Sequence, residues 1–312
     1  MRLTALAGGT GAAKLLRGLV ACEAGELTVI GNTGDDTDVW GLHVSPDLDT
    51  ITYALAGRLD VARGWGRADE SFRCLESMAA LDEPTWFALG DRDLATHLVR
   101  TQGLRAGRPL SQVIAEIARR LGARLRLLPM TDDRVRTCIR TPTGWLTFQE
   151  YFVRDKARVE VLEVAYEGAA DARPAPGVPE AIADADVIVV CPSNPVTSIG
   201  PILAVPGVGS ALAATRATVV GVSPIVGGAA VSGPAGRLMT ACGLPVSPLG
   251  VARAYAPWLD VLVADTQDRA LAAELTAAGV TPAFADILMT DRASETALAR
   301  RVLAAAAGAR RR

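Results

Sequence analysis

A glycine turn between two short apolar runs, right at the start of the chain, narrows the possible folds more than any other stretch. Residues 3–7 read as a buried strand and Gly8-Gly9-Thr10-Gly11 as the turn after it. Residues 12–24 read as a helix with Leu15, Leu16, Leu19 and Val20 on one face, and residues 27–30 as a second strand. Strand, glycine turn, helix and strand make a βαβ unit. The backbone N–H groups of such a turn, with a helix N-terminus behind them, favour an anion, and a phosphate is the natural guest. The match to named nucleotide motifs is incomplete. Lys14 stands where the dinucleotide fingerprint takes a third glycine, and Ala13-Lys14-Leu15 replaces the Gly-Lys-Ser/Thr of a P-loop. Lys14 either reaches a phosphate or lies on the helix surface.

The second strand runs into Gly31-Asn32-Thr33-Gly34-Asp35-Asp36-Thr37-Asp38, and the segment continues to Ser45-Pro46-Asp47-Leu48-Asp49-Thr50. Clustered carboxylates in a loop are costly unless they bind a cation or accept protons, and hard oxygen ligands of this kind suit magnesium. Asn, Gly and Asp also make ordinary solvated turns, but a whole cluster beside a glycine loop points to function. Residues 50–56 read as a short helix, for which Asp49 is a candidate N-cap.

The chain of 312 residues fits one large domain or two, and half of it is apolar, enough for a sizeable core. A net charge of −2 argues against general nucleic-acid binding and for a small ligand or a protein partner. Cys22, Cys74, Cys138, Cys191 and Cys242 form no Cys-x-x-Cys pair, as expected of a reducing cytosol without a zinc or disulfide framework. The first apolar run is too short for the core of a signal peptide, so a cytoplasmic protein is expected. Residues 187–215 carry no charge, but Pro192, Pro195, Pro201 and Pro206 interrupt them, so they read as strand, loop and helix rather than a membrane span.

Further along, Arg63-Gly64-Trp65-Gly66-Arg67 reads as a loop with an aromatic anchor, and 70–81 as helical. In Leu89-Gly90-Asp91-Arg92-Asp93-Leu94-Ala95-Thr96-His97, Asp91 or Asp93 could cap a helix over 94–102. Asp91, Arg92 and His97 could equally form a polar wall to a pocket. Residues 111–121 form another amphipathic helix. From 124 onward, strands are expected at 125–128, 135–140, 145–151 and 159–164, with Phe148, Tyr151 and Phe152 either in the core or lining a flat ring. A buried strand at 187–190 ends in Pro192-Ser193-Asn194-Pro195, and one at 218–222 in Ser223-Pro224. Helices and short strands alternate to the end, closing in an Ala-rich helix over 294–307 and a basic tail.

Alternation at both ends predicts an α/β protein: a Rossmann-like, doubly wound, mostly parallel sheet with a mixed α/β insertion at roughly 50–170, in a single domain over 1–312. Loops at the carboxyl ends of such strands bind ligands. Their chemistry here is N–H donors, hydroxyls and carboxylates, which fits phosphoryl transfer with magnesium better than a covalent nucleophile.

Beyond that chemistry, the chain resembles the CofD family, the 2-phospho-L-lactate transferases of coenzyme F-420 biosynthesis, with their FbiA-type phosphoenolpyruvate transferases. The resemblance covers nearly the whole chain. It rests on Ala7-Gly8-Gly9-Thr10-Gly11, the loop from Gly31 to Asp36, Ser45-Pro46-Asp47-Leu48-Asp49-Thr50, Arg63-Gly64-Trp65-Gly66 and Leu89 through His97. It continues with Leu128-Pro129-Met130-Thr131-Asp132-Asp133, Phe148-Gln149-Glu150, Pro192 through Gly200 and Ser223-Pro224-Ile225. The family joins a GMP-activated three-carbon phospho-acid to the ribityl hydroxyl of the deazaflavin Fo, releasing GMP and requiring magnesium. The resemblance implies that Asp35, Asp36 and Asp49 hold magnesium or orient the hydroxyl, with Asp49 the candidate base. It implies that Gly9, Thr10, Gly11, Ser193, Asn194 and Ser198 cradle the nucleotide phosphates. Asp49, Asp91, Arg92 and His97 would shape the Fo side, in a cytoplasmic homodimer without nucleic-acid or membrane partners. An Ala/Arg-rich composition leans toward a bacterial enzyme and a phosphoenolpyruvyl donor; a 2-phospho-L-lactyl donor is the alternative. YvcK-type regulatory proteins, which bind nucleotide sugars, resemble the chain at the first two motifs only, and a nicotinamide dehydrogenase lacks its third glycine.

Overall fold

The structure is a computed structural model that describes residues 1–309, so the basic tail at 310–312 lies outside the described residues. Seven strands form one sheet: β1 (Arg2–Ala7), β2 (Glu26–Gly31), β3 (Arg126–Pro129), β4 (Val187–Val190), β5 (Thr218–Val222), β6 (Val261–Asp265) and β7 (Thr281–Ala285). Every neighbouring pair is parallel, in the order β3-β2-β1-β4-β5-β6-β7. This is the doubly wound order, with one further strand at the end. The strand sequence reverses between β1 and β4, and ligands bind at such a switch point. Strands β4, β5 and β6 are buried at every residue, as Val-rich runs covered on both faces must be.

Helices cover both faces. On one, α1 (Gly9–Ala21) packs Leu15, Leu16 and Leu19 against Leu298 and Val302 of the last helix, Arg292–Gly308. Gly18 lets the two helices touch: a Cβ there would collide with the Glu295 carbonyl. On the other face, Ile182, Val208, Leu212, Leu238 and Val251 form the second core.

The expected insertion at 50–170 is not one block, because β3 lies inside it and forms an edge of the central sheet. Before β3 come a hairpin (Thr37–Val39 with Leu42–Val44), α2 (Pro46–Leu55), α3 (Arg73–Ala80), α4 (Asp91–Arg105) and α5 (Leu110–Leu121). After β3 comes a three-stranded antiparallel sheet with Arg136–Thr141 between Gly144–Thr147 and Glu163–Glu167.

Three local expectations shift. The helix read from residue 50 begins at Pro46, because proline at the first helical position supplies its fixed φ without wasting a donor. Asp49 therefore lies inside the first turn rather than at the cap. The strand expected over 145–151 stops at Thr147, where the Glu150 carboxylate accepts from the Thr147 N–H (2.8 Å) and hydroxyl (3.0 Å), and a π-helical turn over Glu150–Arg154 follows. The strand expected over 159–164 forms at Glu163–Glu167. The uncharged stretch after β4 forms two segments, Pro195–Ala204 and Val208–Ala214, bent by 87°, and no single described helix is long and apolar enough to cross a membrane.

Candidate functional site

The loops after β1 and β4 close on each other at the switch point. The Gly8 N–H donates to Ser193 Oγ at 3.2 Å. A Cβ on Gly8 would sit 2.7 Å from Ser198 Cβ, and one on Gly11 would sit 2.5 Å from the Pro192 carbonyl oxygen. Gly9 has φ +75°, open to glycine and strained for other residues. Gly8 and Gly11 thus serve the contact between the two loops, and Gly8 also leaves room for the Asp47 carboxylate. Helix α1 starts at Gly9 with no side-chain cap and no acidic residue in its first turn. Its first N–H groups have no intrahelical partner and carry the positive end of the helix dipole, which suits a phosphate. The Thr10 hydroxyl is tied to the Gly64 carbonyl at 3.1 Å, bringing the Arg63–Arg67 loop over the turn. Lys14 reaches the Met289 carbonyl at 2.8 Å. Asn194 accepts from Val196 N (2.9 Å) and Thr197 N (3.4 Å), so its amide oxygen caps the helical turn after β4.

Asn32, fully buried after β2, joins this pair of loops to the acidic segment. Its Oδ1 accepts from Gly34 N at 2.7 Å, while its Nδ2 donates to Asp47 Oδ2 at 2.9 Å and to the Thr197 carbonyl at 3.1 Å. Burial lifts Asp47 to about 6 despite the hydrogen bonds from Asn32 and the Gly9 N–H. Asp35 is raised well above the usual carboxylate range, first by burial and then by the charge of Asp47. Burial also raises Asp36, against the pull of His43 Nε2 at 2.9 Å and the Ser45 hydroxyl at 2.8 Å, both on its Oδ2. The antiparallel sheet closes on this loop from outside. Gln149 Nε2 donates to the Asp35 carbonyl at 3.1 Å, and Asp35, Asp36, Arg136, Thr137 and Phe148 border a narrow cleft.

On α2, Asp49 pairs through Oδ1 with Arg100 of α4, a guanidinium with no exposed surface. His97 Nδ1 lies 3.7 Å from Asp49 Oδ2, and its Nε2 lies 3.3 Å from Asp93 Oδ1. Tyr53 donates to Asp93 at 2.5 Å. Burial pushes Asp93 up, yet His97 and Tyr53 hold it below the ordinary value.

The structure brings Asp49 and His97 together and places Asp91 and Arg92 at the start of the same helix, α4. Asp91 accepts from the Ser71 hydroxyl (2.7 Å), Arg73 N (3.2 Å) and Cys74 N (3.0 Å), and so caps α3. In return Glu70 accepts from Arg92 N (2.7 Å) and Asp93 N (3.0 Å), capping α4. The two helix starts exchange carboxylates, each meeting the other's unpaired N–H groups.

Among the described residues, no three His, Cys, Asp or Glu side chains gather into a ready metal cage. Three carboxylate oxygens are nonetheless buried without a hydrogen-bond partner: Asp35 Oδ1, Asp36 Oδ1 and Asp49 Oδ2. Such a set fits a hard cation that takes one or two carboxylates and completes its shell with ligand oxygens and water. Sequence reading gave Asn32 and Tyr53 no role and Asp47 only a share in the carboxylate cluster, and it missed the site roles of Asp93, read as a helix cap, and of Arg100. The signal for the last two was available: Asp93, His97 and Arg100 recur at i, i+4 and i+7, one face of a helix.

The family model described as 2-phospho-L-lactate transferase CofD matches residues 3–304. A phosphoenolpyruvate transferase of Kitasatospora aureofaciens is 50% identical over 314 residues, covering 98% of each chain. One from Streptomyces griseus is 49% identical, covering 97% of this chain and 98% of its own. A crystal structure of a UPF0052-family protein from Bacillus halodurans superposes with a TM-score of 0.65 at 18% identity, over 97% of this chain and 98% of that one, a likeness of fold.

Proposed function

The chain belongs to the CofD family of 2-phospho-L-lactate transferases, and on that premise we propose that it transfers a phosphoenolpyruvyl group from a GMP-activated donor to the ribityl hydroxyl of Fo, in coenzyme F-420 biosynthesis. The observation that carries this reading is the meeting of two kinds of site at one switch point. The start of α1, with no side-chain cap and with the Thr10 and Gly11 N–H groups beyond the Gly9 N–H that meets Asp47, lies beside three carboxylate oxygens without hydrogen-bond partners, two on the Asp35-Asp36 loop and one on α2. The first suits phosphates, and the second suits a hydroxyl nucleophile and a cation. The phosphoenolpyruvyl donor follows the names of the two relatives above.

In this reading the N–H groups of Thr10 and Gly11, with the Gly9 backbone beside them, hold the nucleotide phosphates, backed by the loop of Ser193, Asn194 and Ser198. Asp35, Asp36 and Asp49 would hold magnesium or orient the acceptor hydroxyl, and magnesium when bound would offset phosphate charge. Asp49 and His97 face the acceptor, with Asp91 and Arg92 toward the mouth. The acceptor hydroxyl oxygen bonds to the phosphorus next to the acid. The bond from that phosphorus to the bridging oxygen breaks, GMP leaves with the electron pair, and the hydroxyl proton passes to a carboxylate of the cluster. Little covalent chemistry is asked of the protein; positioning and charge do the work. The reading extends to a cytoplasmic homodimer, as the family resemblance implies.

The test is a competition between phosphoenolpyruvyl- and lactyl-linked GMP donors, with Fo and magnesium, resolved by product mass. A dehydro product is expected, with GMP released only when Fo is present. A lactyl product would assign the alternative donor. GDP binding without any product from either donor would overturn the transferase reading in favour of a nucleotide-binding regulator.

A further inference from the structure

Helix α4 turns the wrong face inward for a core helix. It buries Asp93, Thr96, His97, Arg100 and Thr101, while Leu98 and Val99 are 47% and 40% exposed. A helix that hides its polar side must satisfy that side within the protein. Arg100 does so from the centre: it donates to Asp49 Oδ1, to the His43 carbonyl at 3.2 Å and to His97 Nδ1 at 3.1 Å.

A guanidinium only donates. His97 therefore receives with the lone pair on Nδ1 and carries its ring proton on Nε2, facing Asp93 Oδ1 at 3.3 Å. Tyr53 donates to the same Asp93 oxygen at 2.5 Å. Arg100 thus donates outward to three acceptors, and Asp93 accepts from the Tyr53 hydroxyl beside His97. The set is a clamp rather than a proton wire, because the guanidinium between His97 and Asp49 does not give up a proton. Of the two Asp49 oxygens, Oδ1 is held by the clamp, and Oδ2 is buried with no hydrogen-bond donor.

We propose that Arg100 is a positioning residue of the transferase site: it fixes the Asp49 carboxylate so that Oδ2 alone is offered to the acceptor hydroxyl, with His97, Asp93 and Tyr53 locking the guanidinium behind it. This assignment rests on the transferase reading above.

A double-mutant cycle of Arg100→Met and Asp49→Asn tests it, alongside Arg100→Lys. The readouts are kcat, Fo binding followed by the fluorescence of Fo itself, and GDP binding by calorimetry. Arg100→Met lowers kcat by about a hundredfold and weakens Fo binding by about tenfold, leaving GDP affinity within about threefold. Arg100→Lys recovers about tenfold of the lost kcat, since it restores the charge but not the fork. In the Asp49→Asn background, Arg100→Met changes kcat and Fo binding by less than about threefold, as expected of a residue acting through Asp49. The double variant leaves neither charge unpaired, so it reports even where Arg100→Met alone folds poorly. Losses that multiply in the double variant, or full kcat in Arg100→Met, overturn the assignment. Wild-type protein that binds Fo but forms no product from either donor refutes the transferase reading, and the Fo-binding cycle still decides whether Arg100 acts through Asp49.

Discussion

Among the described residues two arginine–carboxylate pairs are buried on both sides, and their surroundings treat them in opposite ways. Arg17 and Glu295, 6% and 4% exposed at the side chain, join α1 to the last helix. Arg17 Nε reaches Glu295 Oε2 at 2.9 Å, its Nη2 reaches Oε1, and Arg292 adds a contact to Oε2 at 3.3 Å. Neither side chain has a buried polar atom without a partner. Arg100 and Asp49 are equally buried, but Arg100 Nε, Asp49 Oδ2 and the neighbouring His97 Nε2 all lack hydrogen bonds. A saturated pair has nothing left to offer a ligand. An undersaturated one is costly to keep, and it stands where the acceptor is proposed to bind. The difference separates a strut from a site better than burial or charge does.

The sharpest way to break this contrast is to neutralise one carboxylate from each pair. Asp49→Asn should lower the turnover of the folded protein by about a thousandfold or more, some 4 kcal/mol of barrier, with GDP binding close to wild type, in addition to the stability lost by leaving Arg100 buried and unpaired. Near-normal turnover would remove Asp49 from the site. Glu295→Gln should cost stability alone, about 3–4 kcal/mol in denaturant titrations, because Arg17 is left buried and unpaired far from the reacting groups. The folded fraction should keep its kcat, and a rate loss beyond the unfolded fraction would erase the distinction.

A third prediction concerns Asp47, whose burial lifts it to about 6. As pH rises from about 4 to about 6, the unfolded chain loses this proton while the fold keeps it, so stability falls across that window. Asp47→Asn in EDTA should remove this part of the pH dependence and add about 2–3 kcal/mol at neutral pH. Urea titrations at several pH values would show it, and an unchanged pH profile would mean that Asp47 is not strained by burial. The smallest effect belongs to the exchanged caps. Asp91→Ala should cost about 1 kcal/mol by uncapping α3. If the KM for Fo also rises well beyond what lost stability explains, Asp91 serves the acceptor pocket as well as the cap.

The glycine turn and the flanking valine runs made the doubly wound sheet legible, because parallel strands covered on both faces carry that pattern locally. The place of β3 was not legible. Its four residues follow a long helical excursion, and only pairing with β2 separates them from the antiparallel strands that come next. The start of α2 was written in Ser45-Pro46, but carboxylates read as loop ligands masked it. Asp35, Asp36 and Asp49 stood out as a cluster in sequence. Arg100 did not, since one arginine among many carries no mark until its burial is known. Helix α4 hid its role for a related reason: a periodicity search looks for apolar faces, and its inward face is polar.

The place of β1 bears on how the protein is made. Its residues leave the ribosome ahead of every other strand of the sheet, yet they end in the middle of it, between β2 and β4. One flank pairs with β2 after a short helix, but the other waits for residues 187–190, 180 residues beyond the end of β1. At roughly 5–20 residues per second that flank stays open for about 10–40 s of translation. During that time the nascent chain presents the unpaired border of β1, with its leucines and alanines, the kind of surface that recruits other strands. Pauses introduced between codons 130 and 187 should therefore lower the soluble yield more than pauses placed after 190.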